Sequence, residues 1–149
     1  MYNHILIPTD GSEVAQKGVD QSLSLARALG ARVTILTVTE SFPVYPAGPP
    51  GFSAGLADIV NVAAARQKEE AAKVLAAAKH GADSLGVSAE TFHVAEAHPA
   101  EAVIDVAKSR NCDLIAMASH GRRGLGRLVL GSVTSEVLAH SPVPVLVIR

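Results

Sequence analysis

The chain has 149 residues, of which 48% are hydrophobic but only 3% aromatic, enough for one domain with a buried core. Basic and acidic residues nearly cancel (13 against 14, net charge −1), so no global field recruits nucleic acid or a membrane surface. No apolar run reaches the roughly 18 residues of a membrane span, and a single cysteine, Cys112, excludes an internal disulfide.

The opening MYNHILIP has no basic stretch ahead of a long apolar run, unlike a signal peptide. This predicts a cytoplasmic protein. Ile5-Leu6-Ile7, ended by Pro8, reads as a buried strand. Thr9-Asp10-Gly11-Ser12 is a turn that also supplies helix-capping side chains. Ala15, Val19, Leu23, Ala26 and Leu29 then recur at helical spacing, with Gly30 as the stop. Arg32 to Val38 is rich in β-branched residues and predicts a second strand, which makes a βαβ unit and a parallel sheet.

Glu40 to Gly55 holds four prolines and three glycines and reads as a loop, either a surface excursion or a lid. From about Leu56 to Leu85 a long helix is expected, with Leu56, Ile59, Ala63, Ala71, Val74, Ala78 and Leu85 along its inner stripe. Its central Arg66 to Glu70 run reads as a solvated face. Val87 to Val94 is a third strand, with Phe92 and Val94 on one side. A helix beginning near Pro99 follows, its inner face formed by Ala100, Val103, Ile104 and Ala107. Cys112 to Met117 is a fourth strand, in which Cys112 is expected to pack rather than to do redox chemistry. A last helix runs to about His140, and Val143 to Ile148 forms a fifth strand.

Five strands alternating with four helices predict a single α/β domain over residues 1–149. Its core is an open, doubly wound, five-stranded parallel sheet with helices on both faces. Ligands bind such sheets beyond the carboxyl ends of the strands, where the strand order reverses. Three polar or glycine-rich segments fall at carboxyl ends: Pro8 to Ser12, Val38 to Glu40, and Ala118 to Ser132. They are expected to converge.

The stretch MASHGRRGLGRLVLGSVTS, from Met117 to Ser135, carries the strongest chemistry. A strand, glycines at 121, 124, 126 and 131, and a helix start at Ser132-Val133 are the ingredients of a phosphate site. Glycine lets backbone approach an anion, and a helix N-terminus offers free N–H groups and a favourable dipole. Arg122, Arg123 and Arg127 would neutralise phosphates or else form a solvated patch. His120 is a phosphate or ribose contact or an exposed histidine. His4, His80, His93, His98 and His140 are given surface or packing roles. The P-loop pattern is absent, the Gly124-Leu125-Gly126 run does not complete a dinucleotide fingerprint, and no metal-ligand spacing occurs. Nor does any nucleophile sit beside a general base.

With ILIPTDGS at the start, HPAEAV at a helix start, the SHG-x9-GS segment and the VPVLVIR finish, the whole chain resembles the universal stress protein family. The ATP-binding branch of that family carries G-x2-G-x9-G-[S/T]. Gly121, Gly131 and Ser132 match it, and Ala118 stands at the first glycine. The resemblance implies that Pro8, Thr9, Asp10 and Val38 border ribose and adenine and that Met117 packs near the nucleoside. It also implies that Ala118, His120, Gly121, Arg122, Gly131, Ser132 and Val133 surround the phosphates. The implied ligand is ATP, or ADP or AMP, with Mg²⁺ bridging phosphates near Asp10. Homodimerisation through Val143 to Ile148 is implied as well. The expected role is a nucleotide-responsive stress regulator acting on an unidentified protein partner, rather than a dedicated enzyme. The alternatives are a nucleotide-independent dimeric interaction protein, favoured by Ala118, and a slow ATPase.

Overall fold

The computed structural model describes residues 1–42, 48–49, 52–120 and 130–149, with the backbone alone for 52–54. Its elements are β1 (His4–Pro8), α1 (Glu13–Leu29), β2 (Arg32–Val38), α2 (Phe52–Ser84), β3 (Ala89–Val94), α3 (Pro99–Ser109), β4 (Leu114–Ala118), α4 (Ser132–His140) and β5 (Val145–Ile148). All five strands join one parallel sheet in the order β3-β2-β1-β4-β5. The fold is therefore the expected α/β sheet.

Side chains alternate across each strand, and both faces are covered. Ile5, Ile7, Val33, Ile35, Leu114 and Ala116 meet Val19, Leu23 and Ala26 of α1 and Leu75, Ala78 and Ala82 of α2. Leu6, Leu36, Ile115 and Met117 point the other way, onto Ala100, Val103 and Ala107 of α3 and Val137 of α4. Cys112 packs in this second layer, and burial pushes its thiol up to about 11. It is a packing residue, as expected.

The helix ends follow local chemistry. Ser12 caps α1 by accepting the Ala15 N–H at 3.2 Å. Gly30 closes it at φ 65°, a left-handed conformation that glycine adopts without a Cβ penalty.

α2 departs from expectation. It begins at Phe52, four residues early, and its stripe is only half buried. Ala71, Leu75, Ala78 and Ala82 carry the packing, whereas Ile59 is 67% and Val62 70% exposed. The reason is length. Thirty-three residues of helix span about 50 Å, while the seven residues of β2 reach only about 23 Å. The N-terminal half of α2 must overhang the carboxyl edge of the sheet.

At the opposite edge lies a polar chain. The single Thr34 hydroxyl hydrogen is donated to Glu90 Oε1 at 2.7 Å. The 2.8 Å contact between His4 Nε2 and Thr34 Oγ1 must therefore be donated by the ring. Nε2 of His4 thus carries a hydrogen, and its buried Nδ1 has no side-chain partner among the described residues. Arg110 completes the chain, bonding Glu90 Oε2 at 3.0 Å and lying 4.5 Å from the Phe92 ring centroid. Asp113 accepts the N–H groups of Asn3 and His4 and so holds the first strand in place.

Burial first, and the Arg32 charge second, hold His4 below its ordinary pKa of 6.5, against the opposing pull of Glu90 and Asp113. Above pH 6.5 the ring is neutral folded or unfolded and contributes no pH dependence. Below it the unfolded chain takes up a proton that the folded chain resists, so stability falls as pH falls, until folded His4 itself protonates. Urea midpoints measured from pH 7.5 down to pH 5.5 are expected to drop in the wild-type chain. The drop should be smaller in His4→Gln, and equal slopes would refute the assignment.

Candidate functional site

β1 is flanked on one side by β2 and on the other by β4, so the strand order reverses at its carboxyl end. A cavity of about 810 Å³ opens there. Pro8, Thr9 and Asp10 line it from β1, and Val38, Thr39 and Glu40 from β2. Met117, Ala118 and His120 come from β4 and its exit, and Gly131, Ser132 and Val133 from the start of α4. The three segments expected to converge do so. Gly121 and Arg122, with Arg123, Gly124, Gly126 and Arg127, lie outside the described residues.

The β1 end is fixed by its own backbone contacts. The Thr9 N–H bonds the Leu36 carbonyl at 2.8 Å, and the Thr9 carbonyl accepts the Thr37 hydroxyl at 3.0 Å. Asp10 Oδ1 accepts the Ser12 N–H at 3.0 Å, which orients its carboxylate within the turn. Ser12, not Asp10, is the cap of α1, so Asp10 is left on the cavity wall. Gly11 between them has φ 75°, and a Cβ there would lie 2.5 Å from Val74 Cγ2 of α2. Turn and helix wall are locked together at this residue.

The β4 end is held equally firmly. The Ser119 N–H bonds the Ile148 carbonyl at 2.8 Å, and the Ser119 carbonyl accepts the Gly131 N–H at 2.9 Å. Thr134 Oγ1 donates to the Ala118 carbonyl at 3.1 Å. Gly131 is the N-cap of α4 with φ −60°, so its conformation does not demand glycine. Proximity favours it: a Cβ would stand 3.3 Å from the Ser119 carbonyl oxygen, which would have to give by a few tenths of an ångström. This cap has no side chain, and the first turn of α4 holds no acidic residue. The positive end of the helix dipole is left without a capping side chain or a first-turn acid to offset it. His120 Nδ1 meets Ser119 Oγ at 2.8 Å, and its buried Nε2 has no partner among the described residues.

Two cavity walls escaped the sequence reading. Arg66, Gln67 and Glu70, assigned to a solvated face, line the cavity from the overhang of α2. Arg66, Lys68, Glu69 and Glu70 are exposed, as a solvated face requires, and Gln67 is half-buried. His98, assigned a surface or packing role, stands with Pro99 at the start of α3 and lines the cavity opposite Glu136, with Nε2 3.8 Å from Oε2. The carboxyl-edge rule that singled out the other segments applies equally to this turn after β3. Among the described residues no three His, Cys, Asp or Glu side chains gather as a metal site, and no helix is long and apolar enough to cross a membrane.

The sequence model of the universal stress protein family matches residues 1–149. The chain belongs to this family. Among its family relatives, universal stress protein YxiE of Bacillus subtilis is 33% identical over 149 residues, with 100% of each chain covered. The structure of MJ0577, a universal stress protein of Methanocaldococcus jannaschii, superposes with a TM-score of 0.81 at 28% identity, covering 99% of this chain and 96% of that one. Two more distant structures share the fold and hold nucleotides. A universal stress protein in complex with cAMP has a TM-score of 0.68 at 24% identity, covering 99% and 97% of the two chains. One from Archaeoglobus fulgidus in complex with dAMP has a TM-score of 0.67 at 19% identity, covering 99% and 98%.

The Gly11 geometry separates backbone strain from overlap. Gly11→Ala combines a left-handed φ with collision against Val74 and is expected to cost about 2–4 kcal/mol. Gly30→Ala meets open space and should cost only the conformational part, about 1–2 kcal/mol. Urea denaturation of the two variants checks the difference, and equal losses would contradict it.

Proposed function

We propose that this chain is a universal stress protein domain that binds ATP in the cavity at the β1–β4 switch point and acts as a nucleotide-responsive regulator in stress response. The observation that carries this reading is the shared cavity: residues chosen from distant motifs, Asp10, Val38, His120 and Ser132 among them, all line it. Two features fit an anionic ligand there. The uncapped N-terminus of α4 offers N–H groups to phosphate, and the buried His120 Nε2, which has no partner among the described residues, can take a polar one. The presence of cAMP and dAMP in other proteins of this fold supports an adenine nucleotide. ADP and AMP are the alternative occupants.

In this reading Pro8, Thr9, Asp10 and Val38 border the nucleoside with Met117 against it. Ala118, His120, Gly131, Ser132 and Val133 surround the phosphates, joined by Gly121 and Arg122. Asp10 offers the hard oxygen that Mg²⁺ takes when it also rides on phosphate. Occupancy shifts the population of cavity conformations and so the surface presented to a partner protein. We assign the protein to the cytoplasm and expect a homodimer through Val143 to Ile148. The pairing fits an edge strand, since among the described residues β5 bonds β4 alone and Leu146 is 40% exposed.

Calorimetry of nucleotide-free protein with ATP and Mg²⁺ tests the reading. Saturable heat is expected, and silence with ATP, ADP and AMP alike would sink it. Gly131→Val should weaken binding at least about tenfold, because its side chain fills the approach to the helix end. Because its Cβ also presses on the Ser119 carbonyl, a modest loss of stability is expected alongside. Ser132→Ala removes one hydroxyl donor and should cost about three- to tenfold in affinity. Unchanged binding in both variants would move the phosphates elsewhere.

A further inference from the structure

α1 carries a glycine in its middle, a position where glycine weakens a helix relative to alanine. The reason lies across the interface. Gly18 is buried against β4, and a Cβ on it would stand 3.0 Å from Ala118 Cβ, 3.2 Å from Ala118 N and 3.3 Å from Ala118 Cα. Ala118 therefore directs its methyl at α1, into the notch that Gly18 leaves open. Its carbonyl holds the Thr134 hydroxyl in the first turn of α4, and the next residue, Ser119, receives the Gly131 N–H. A displacement of Ala118 is thus passed directly to the N-terminus of α4.

We propose that Gly18 is a positioning residue for the nucleotide site: by accepting the Ala118 methyl it sets the height of β4's end and, through Thr134 and Ser119, the aim of the α4 N-terminus. The inference rests on the reading that this cavity binds ATP. It also explains how the first glycine of the motif can be alanine here. The methyl that alanine adds is housed in α1 instead of in the phosphate space.

A double-substitution cycle read by ATP–Mg²⁺ calorimetry tests the coupling. Gly18→Ala is expected to weaken binding about tenfold with Ala118 present and only about threefold with Ala118→Gly, since the tightest of the three contacts is then gone. Rescue is partial because the contacts to the Ala118 backbone persist. Equal losses on the two backgrounds would overturn the proposal. A nucleotide-independent readout separates it from the function itself. In ligand-free protein the amide resonances of Ser119, Gly131 and Ser132 should move in Gly18→Ala and return part of the way in the double variant. If the wild-type chain binds no ATP, the functional reading fails, while these shifts still decide the coupling. If Gly18→Ala does not fold, Ala118→Gly alone carries the test: with the notch empty the Gly131 and Ser132 amide resonances should move, and unchanged resonances there would overturn the proposal.

Discussion

The central strand β1 is hydrogen-bonded along both sides, to β2 through five aligned residues and to β4 beside Ile5 and Leu6. From this arrangement the rest of the structure follows. A strand with parallel neighbours on both flanks has no free edge and no solvent face, so Ile5, Leu6 and Ile7 are fully buried. Chain leaving its carboxyl end turns to one side, chain leaving β4 returns on the other, and a gap opens between them. The cavity is a product of winding direction before it is a product of any particular side chain.

Much of this was legible in the sequence because the signals were local. Arg32 to Val38 matches β2 to the residue, since a β-branched run between Gly30 and a polar loop has few other solutions. Ser132 and His140 bound α4 as expected, one following a glycine and the other preceding Ser141-Pro142. Asp10, Val38, His120 and Ser132 could be placed at one edge because parallel topology puts every strand's carboxyl end there. What could not be read was the relation between element lengths. Periodicity put Ile59 on an inner stripe, but periodicity carries no information about where the sheet stops. The same blindness hid Arg66, Gln67 and Glu70, which look like any exposed charged run until the helix is seen to outreach the strands. His98 was missed for a different reason, because its turn carries no glycine and no phosphate-like pattern.

The two edges of the sheet are also built from different materials. At the amino edge, His4, Thr34, Glu90 and Arg110 satisfy one another in a linked chain. At the carboxyl edge, backbone groups do the holding: Thr9 to Leu36, Ser119 to Ile148 and Gly131 to Ser119. Side-chain networks specify a unique arrangement and carry pH sensitivity with it. Backbone anchors leave side chains free to face a ligand. The division places the linked His4 chain at the edge away from the cavity.

One of those anchors has a further meaning for how such a protein can change. The chain leaves the sheet at Ser119 and enters α4 after Gly131, and a 2.9 Å backbone bond joins the two residues. The join is made by main-chain atoms, a carbonyl that every residue carries and an N–H that every residue but proline carries. Substitution of the side chains around this anchor leaves it in place, so the exit of β4 and the start of α4 stay joined while the cavity wall beside them varies.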